Sequence, residues 1–301
     1  MTLDIQKGYP KDVREHKVTN HRIFENNLEE NIMVKLQWGT ALVTGGSRGI
    51  GRGIAFKLAE NGVKRIAINY VENDATAKDT LNGLKDRGAE GILVKGDVGK
   101  TEFVKAMFAE VKSKFGGMDI FVHNARNAVA QFYQSPMEAS VEGLQAAYDS
   151  QAKCMLLGCQ ESAKLMQTGG RIIAITYAPG SRTGSWQPWV NMGAAKAALE
   201  STVRYFAVAL AKKGITVNSV SPGATDDSVF NGLPAEVFKA IKDWNVSGWT
   251  PMGRMGTPAD IGNAVLLLCA SEANWITGQT IHADGGSSLM NSDFPLAIQG
   301  L

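Results

Sequence analysis

A glycine-rich turn between a short apolar strand and a helix constrains the fold of this chain most strongly. The candidate strand Thr40–Thr44 runs directly into the sequence GGSRGIG at residues 45–51, and a helical pattern follows it. Glycines in such a turn let the backbone approach a phosphate closely, and the N-terminus of the helix supplies free N–H groups. A glycine motif gains weight when it follows a strand and opens a helix. The segment therefore predicts a nucleotide-binding β-α unit.

Short apolar runs alternate with helical stretches along the rest of the chain. Near-continuous apolar runs are typical of parallel strands that are buried on both faces. The alternation predicts an α/β fold of the Rossmann type, a doubly wound sheet with helices on both faces. The candidate strands are Thr40–Thr44, Arg65–Tyr70, Gly91–Lys95, Asp119–His123, Arg171–Thr176, Thr216–Ser221 and Gln279–Ala283. The candidate helices include Gly51–Asn61, Phe103–Phe115, Gly143–Met166, Ala194–Lys213 and Pro258–Cys269.

Composition excludes several classes of function. The chain has 31 Lys and Arg against 29 Asp and Glu, which gives no reason to expect nucleic acid or a membrane surface as partner. There is no apolar run long enough to span a bilayer and no signal-peptide pattern, so we expect a cytoplasmic protein. Cys154, Cys159 and Cys269 have no metal-ligand spacing. We expect Cys154 and Cys159 to be buried thiols, and we predict no metal site.

The pattern also indicates where the domain begins and ends. Residues 1–38 are charged and fall outside the β-α alternation, so we expect an N-terminal arm or extension. Residues 39–290 form the predicted nucleotide-binding domain. Residues 291–301 would be a C-terminal tail.

The glycine spacing, Thr-Gly-x-x-x-Gly-x-Gly at residues 44–51, resembles that of the short-chain dehydrogenase/reductase family. The resemblance covers about residues 38–290 in collinear order. It continues through Asp97-Val98, Asn124-Ala125, Lys196, Pro222-Gly223 and the stretch 277–286. It implies a single-domain sheet of about seven parallel strands, assembled as a homotetramer or homodimer. Residues 39–290 would then be a dinucleotide-binding reductase domain, in which residues 225–248 form a substrate lid.

The resemblance also implies a nicotinamide dinucleotide cofactor. Asp97 and Val98 would frame its adenine, and Pro222-Gly223-Ala224 would approach its nicotinamide. A carboxylate at the end of the second strand normally repels a 2′-phosphate, but this chain has Asn69-Tyr70 there. Arg48 suits a 2′-phosphate, so NADPH is favoured and NADH is the alternative. The candidate cofactor-binding residues are Gly45, Ser47, Arg48, Gly49, Ile50, Gly51, Asn69, Tyr70, Asp97, Val98, Asn124, Ala125, Thr176, Lys196, Pro222, Gly223 and Ala224.

The segment around Lys196 departs from the common family pattern. That pattern has a serine after the fifth strand and a tyrosine four residues before the lysine, whereas this chain has Thr176 and Met192. The segment is most similar to that of the enoyl-acyl-carrier-protein reductase subgroup, whose tyrosine lies seven residues before the lysine. Trp189 stands at that position here. Some of these reductases have a Ser-Tyr pair after the fifth strand, which Thr176-Tyr177 resembles. Tyr177 and Lys196 are therefore the candidate catalytic residues.

The resemblance implies an NAD(P)H-dependent oxidoreductase that reduces the activated double bond of an enoyl thioester, as in fatty acid biosynthesis. The substrate would be a small-molecule or carrier-bound acyl thioester, linked to CoA or to an acyl carrier protein. Tyr177 would hydrogen-bond the thioester oxygen, and Lys196 would hold the nicotinamide ribose. Two alternatives stay open, a carbonyl reductase of the 3-ketoacyl type with a displaced proton donor and a non-catalytic nucleotide-binding member of the family.

Two further departures lie near the expected cofactor. The usual glycine after Asn124-Ala125 is Arg126, which could meet a phosphate of the substrate carrier or form a surface salt bridge. The usual asparagine of the preceding helix has Gln151 or Ser150 in its place.

Overall fold

The computed structural model describes residues 36–127, 134–167, 169–177, 188–227, 234–290 and 296. These residues form one seven-stranded sheet. Its strands are β1 (Thr40–Val43), β2 (Arg65–Tyr70), β3 (Glu90–Lys95), β4 (Ile120–His123), β5 (Gly170–Ile175), β6 (Ile215–Pro222) and β7 (Thr280–Ala283). All neighbouring strands are parallel, in the order β3-β2-β1-β4-β5-β6-β7.

Helices connect the strands. They are α1 (Gly49–Glu60), α2 (Asp74–Asp86), α3 (Thr101–Phe115), α4 (Val141–Tyr148), α5 (Cys154–Leu165), α6 (Val190–Leu210), α7 (Ala235–Trp244) and α8 (Pro258–Cys269). A π-helical turn at Asp149–Lys153 joins α4 to α5, and another at Asn245–Trp249 follows α7. Short 3₁₀ turns occur at Ala211–Lys213, Ser271–Ala273 and Ser287–Leu289.

Two apolar cores, one on each face of the sheet, hold these layers together. On one face, buried residues of α3, α5 and α6 pack on the strands, with Phe108 and Phe121 in edge-to-face contact. On the other face, α1, α2 and α8 contribute residues such as Ile54, Leu84 and Val265. Every residue of β1, β4 and β5 is buried. Burial on both faces is the physical reason for their near-continuous apolar sequences.

The strand order positions the site. The chain proceeds from β1 outward to β2 and β3, then returns to the other side of β1 with β4. In open α/β sheets this reversal leaves a crevice at the carboxyl ends of the central strands, where ligands bind. The glycine-rich turn follows β1, and Asn124-Ala125 follow β4. Both segments therefore lie at that crevice.

The predicted fold class is confirmed, and each predicted strand occurs with its ends shifted by no more than one residue. The helix ends differ more, since α6 begins at Val190 rather than at Ala194. The helix predicted over Gly143–Met166 is two helices, because the π-helical turn interrupts it. Within the described residues, no helix has the length and apolarity that crossing a membrane requires.

The proposed domain boundaries fall partly outside these residues. Of the expected N-terminal arm only residues 36–38 are described, and of the expected tail only residue 296. The expected lid over residues 225–248 contains α7, and its residues 228–233 are outside the described part.

Candidate active site

The glycine-rich turn is held against the segment that follows β4. The Asn124 Nδ2 group donates to the carbonyls of Thr44 (3.0 Å) and Gly45 (3.2 Å). The Thr44 hydroxyl accepts the backbone N–H groups of Asn124 and Ala125, both at 3.0 Å. Gly45 has a φ of +63°, and a Cβ on Gly51 would lie 2.3 Å from the Gly45 carbonyl oxygen. Glycine is therefore needed at both positions for this close packing.

Helix α1 presents its N-terminus at the same place. Arg48 is its N-cap residue, with an extended backbone and no side-chain cap hydrogen bond. Its guanidinium is on an exposed side chain. The Ser47 carbonyl accepts from Arg52 Nη2 (2.7 Å) and from the Thr80 hydroxyl (2.8 Å). These two hydrogen bonds hold the turn against α1 and α2. N–H groups without a cap, the helix dipole and an exposed guanidinium together suit a phosphate.

The two residues at the end of β2 use their polar groups within the fold. Asn69 is 1% exposed, its amide donates to the Val94 and Gly96 carbonyls (3.1 and 2.9 Å), and its oxygen accepts from Gly45 N (3.3 Å). The Tyr70 hydroxyl donates to Asp74 Oδ1 at 2.8 Å. Asn69 therefore shapes the glycine-rich turn with its polar atoms, and the Asp74 carboxylate lies beside the end of the strand, bonded to Tyr70.

The other candidate cofactor residues lie around the same edge of the sheet. Asp97 is exposed and its carboxylate accepts from Gly99 N at 2.8 Å, whereas Val98 is buried in the core. At the end of β6, Gly223 N donates to the Ala283 carbonyl at 3.1 Å. A Cβ on Gly223 would lie 2.7 Å from the Asp284 Cα, so this position also needs glycine. The Ala224 carbonyl accepts from Gly256 N at 2.8 Å.

Lys196 is a buried amine beneath this edge. It lies in the second turn of α6, is 5% exposed, and its Nζ donates to the Ile175 carbonyl at the end of β5. Burial, with a smaller contribution from the Arg126 guanidinium, lowers the pKa of Lys196 to about 7, although Glu200 and the Cys154 thiol oppose the shift. An amine with such a pKa changes charge near neutral pH.

Glu200 is a site residue that the sequence reasoning missed. It lies one turn after Lys196 on α6 and is 8% exposed. The Thr176 hydroxyl donates to its Oε1 at 2.7 Å. Thr176 is 3% exposed, so its hydroxyl is committed to this carboxylate. The sequence could have indicated Glu200, because it lies four residues after Lys196 on a predicted helix and residues at this spacing share one helix face.

Tyr177 follows Thr176 and is half-buried against Trp189. The two rings meet edge to face, with centroids 5.8 Å apart. Burial raises the pKa of Tyr177, which keeps the phenol protonated. Met192, at the position of the common family tyrosine, is 1% exposed and belongs to the interior. Gln134 supports the Trp189 segment, since its backbone N–H donates to the Pro188 carbonyl at 3.0 Å.

The sequence reasoning also missed a buried polar residue near Lys196. His123, the last residue of β4, is fully buried and its Nδ1 lies 3.3 Å from the Thr44 hydroxyl and 3.8 Å from Cys154 Sγ. Burial, with a smaller contribution from Lys196, lowers the pKa of His123 to about 3, so its ring is neutral. Gln151 donates to the Ala125 carbonyl at 3.0 Å. Cys154 and Cys159 are buried, as predicted, and burial raises the pKa of Cys154 to about 12.

Arg126 is a charged residue in the segment after β4. Its Nη1 donates to the Asn127 carbonyl at 3.0 Å, and its side chain is partly buried. Burial lowers its pKa, Asp227 opposes this shift, and Arg48 adds to it. Asp227 itself is 7% exposed. Arg126 therefore lies within electrostatic range of the glycine-rich turn, of Lys196 and of the segment after β6.

Within the described residues, segments that are far apart in sequence thus form one polar crevice. It contains the uncapped N-terminus of α1, the lysine of α6 and the residues that end β4, β5 and β6. Within the described ranges, no group of three or more His, Cys, Asp or Glu side chains could hold a metal ion.

Such a fold and site define a short-chain dehydrogenase/reductase, an oxidoreductase class. Residues 45–288 match the family model described as enoyl-(acyl carrier protein) reductase, and the chain belongs to the short-chain dehydrogenase/reductase family. It is 35% identical over 263 residues to 1-cyclohexenylcarbonyl-CoA reductase of Streptomyces collinus, covering 84% of this chain and 88% of that protein.

Two solved structures are also similar. The reductase LugOII, which catalyses keto-reduction at C1 in lugdunomycin biosynthesis, has a TM-score of 0.74 and 33% identity, with coverage of 83% of this chain and 98% of LugOII. The angucycline C-6 ketoreductase LanV, with bound NADP, has a TM-score of 0.75 and 32% identity, with coverage of 84% and 96% respectively.

Proposed function

We propose that this protein is an NADPH-dependent reductase that saturates the activated double bond of an enoyl thioester carried by CoA or by an acyl carrier protein. One observation carries the proposal. Lys196 fits the lysine of the family pattern, while Trp189 and Met192 stand at the two positions where the patterns that this segment resembles have tyrosine. Tyr177 then supplies a half-buried phenol at the end of β5, against Trp189.

The crevice fits NADPH. The uncapped N-terminus of α1 suits the diphosphate, and the exposed Arg48 suits the 2′-phosphate. Asn69 and Tyr70 are uncharged, and the Asp74 carboxylate that accepts from Tyr70 is paired with Lys95. The NADP bound by LanV supports the same assignment. When bound, this cofactor supplies the hydride that a reductase delivers to its substrate.

The chain's own residues then stabilise charge and orient the substrate. Addition of hydride to the β-carbon of an enoyl thioester moves the π electrons toward the thioester oxygen. The Tyr177 hydroxyl donates a hydrogen bond to that oxygen, and its raised pKa keeps the proton on the phenol. A proton from solvent then adds to the α-carbon. Lys196 would hold the ribose hydroxyls of the bound cofactor. A placed donor at a developing oxyanion contributes about 3–4 kcal/mol.

The substrate class has support from a relative. The compound in the name 1-cyclohexenylcarbonyl-CoA reductase has a carbon–carbon double bond conjugated to a CoA thioester. That is the electrophile that the mechanism requires. The match to the enoyl-(acyl carrier protein) reductase model points to the same chemistry.

The test compares Tyr177→Phe with Tyr205→Phe, a matched loss of one phenol at a 78% exposed position on α6. Turnover of crotonyl-CoA or 1-cyclohexenylcarbonyl-CoA is followed by the loss of reduced-nicotinamide absorbance. We expect Tyr177→Phe to lower kcat by about 100-fold or more. Its Kd for NADPH and the rate of Tyr205→Phe should stay near wild type. An unchanged rate in Tyr177→Phe removes Tyr177 from the mechanism.

Reduction of a ketone is the second candidate, because LugOII and LanV are ketoreductases. Tyr177 would then have to protonate a carbonyl oxygen itself. A panel of cyclic ketones and 3-ketoacyl thioesters, run beside the enoyl thioesters, separates the two activities. NADPH binding without oxidation by any substrate would favour the third alternative, a non-catalytic nucleotide-binding protein. The homotetramer or homodimer and the cytoplasmic location stay predictions.

A further inference from the structure

The residues at the end of β5 are joined one after another to α6. The Ile175 carbonyl accepts a hydrogen bond from Lys196 Nζ. The Thr176 hydroxyl donates to Glu200 Oε1 at 2.7 Å. Lys196 and Glu200 are four residues apart, so they lie on one face of the helix. Two consecutive residues at the end of β5 are therefore bonded to the same face of α6.

Tyr177 continues this contact between the strand end and the helix. Its ring meets that of Trp189 edge to face, with the centroids 5.8 Å apart. Trp189 is the N-cap residue of α6 and lies about two helical turns before Lys196. Thr176 is the covalent neighbour of Tyr177, so a displacement of Thr176 would move the backbone of Tyr177 with it.

Glu200 is a carboxylate in the protein interior, with 8% of its surface exposed. Burial of a carboxylate is costly unless hydrogen bonds compensate it. Within the described part of the chain, the Thr176 hydroxyl provides that bond, since the Lys196 amine donates to the Ile175 carbonyl instead. A hydroxyl has a single proton to donate. Thr176 therefore has no proton left for a substrate oxygen, which leaves that role to Tyr177.

We propose that Glu200 is a positioning residue for the reduction, because its bond to Thr176 fixes the backbone from which Tyr177 reaches the substrate oxygen. Hydrogen bonds to a carboxylate are shorter and stronger than those between neutral groups, and this one has the expected length. A displacement of about 1 Å at a reacting group can lower a rate by about 100-fold. The inference rests on Tyr177 as the donor of the proposed function.

Two variants of similar length separate the hydrogen bond of Glu200 from its charge. Glu200→Gln keeps an oxygen that accepts from Thr176, whereas Glu200→Met loses the acceptor. Both remove the negative charge that supports the Lys196 ammonium. With crotonyl-CoA and NADPH, we expect the kcat of Glu200→Met to be about 10-fold below that of Glu200→Gln. The KM for the thioester and the Kd for NADPH should be similar in the two variants.

Two further comparisons control this experiment. Glu110→Met removes a carboxylate at an exposed position of α3 and should keep the wild-type values. Thr176→Val against Thr176→Ser removes and keeps the same hydrogen bond from the donor side, and it replaces the first pair if Glu200→Met does not fold. We expect the kcat of Thr176→Val to be about 10-fold below that of Thr176→Ser. Equal kcat values within these pairs overturn the proposal.

The Tyr177→Phe background shows whether Glu200 acts through Tyr177. The difference in kcat between Glu200→Gln and Glu200→Met should disappear in this background, because the phenol that the bond positions is gone. A difference of the same size with and without the phenol overturns the proposal, since Glu200 would then affect turnover by another route.

Titration of the Tyr177 phenol by ultraviolet absorbance needs no substrate, and the difference from Tyr177→Phe identifies its signal. Burial raises the pKa of Tyr177. This pKa should stay raised in Glu200→Gln and fall toward its ordinary value in Glu200→Met, because Tyr177 leaves its half-buried place. An equal pKa in both variants overturns the positioning of Tyr177. Full turnover by Tyr177→Phe would instead refute the proposed function, and the titration would still decide whether Glu200 positions Tyr177.

Discussion

The depressed pKa of Lys196 predicts an unusual dependence of stability on pH. Its pKa is about 7 in the folded protein against an ordinary value of 10.5. At about 1.4 kcal/mol per pKa unit, burial of the charged amine costs about 5 kcal/mol. The unfolded chain binds the proton between pH 7 and 10.5, whereas the folded protein does not. The free energy of unfolding therefore rises with pH across this window. Below pH 7 the full cost is present, and above pH 10.5 it is absent.

Replacing the lysine isolates this effect from the other titrating groups. Lys196→Met removes the amine and also its hydrogen bond to the Ile175 carbonyl, which is a loss of about 1 kcal/mol at every pH. The difference in unfolding free energy, wild type minus variant, should rise by about 4 kcal/mol between pH 7 and 10. In Glu200→Gln the rise should begin at lower pH, because Glu200 raises the pKa of Lys196.

Urea unfolding without cofactor, followed by tryptophan fluorescence at a series of pH values from 6 to 10.5, measures this difference. The same series on Lys57→Met is the control, since that lysine is a partly exposed member of a surface ion pair with Glu60. Its difference from wild type should vary by no more than about 1 kcal/mol. A pH-independent difference between wild type and Lys196→Met would refute the depressed pKa and, with it, a catalytic amine that titrates near neutral pH.

Two further predictions concern the cofactor and the fold. Arg48→Ala should raise the Kd for NADPH about 10-fold and leave that for NADH nearly unchanged, because only the 2′-phosphate loses its partner. Parallel titrations with the two cofactors check it, and equal losses would contradict it. Thr257→Ala should lower the free energy of unfolding by about 1 kcal/mol, because it removes the capping box that Thr257 and Asp260 form at the N-terminus of α8. A lower urea midpoint at unchanged slope is the expected result, and an unaltered midpoint argues against the cap.

Much of the fold was predictable because its determinants are local. Strands buried on both faces need continuous apolar sequence, and β2 occurs at Arg65–Tyr70 as predicted. The turn at residues 45–51 needs glycine at the positions where a Cβ would collide with the backbone. The positions of the glycines in the sequence therefore predict the conformation of the turn. Helix ends were less predictable. The N-cap residue of α6 is Trp189, which makes no side-chain cap hydrogen bond, so no capping pattern in the sequence marks the start of this helix.

The roles of polar side chains were less accessible, because they depend on partners far away in sequence. Asn69 is a reasonable ribose contact by position, yet its amide bonds Val94 and Gly96 across the neighbouring strand. Thr176 stands in the place of a catalytic serine, but its hydroxyl bonds Glu200 on α6. No periodicity in the chain specifies either pairing.

The sequence by itself determined the class of protein, because the features that identify the class are local. They are the glycine-rich turn, the alternation of strands and helices, and the short motif around Lys196. It also predicts that Trp189 and Met192 stand where the patterns of the family have tyrosine. Only the tertiary structure decided which polar residues share one edge of the sheet, because Arg126, Tyr177 and Asp227 follow β4, β5 and β6, which are neighbours in it. Burial at that edge lowers the pKa of Lys196, and this shift arises only when the chain folds.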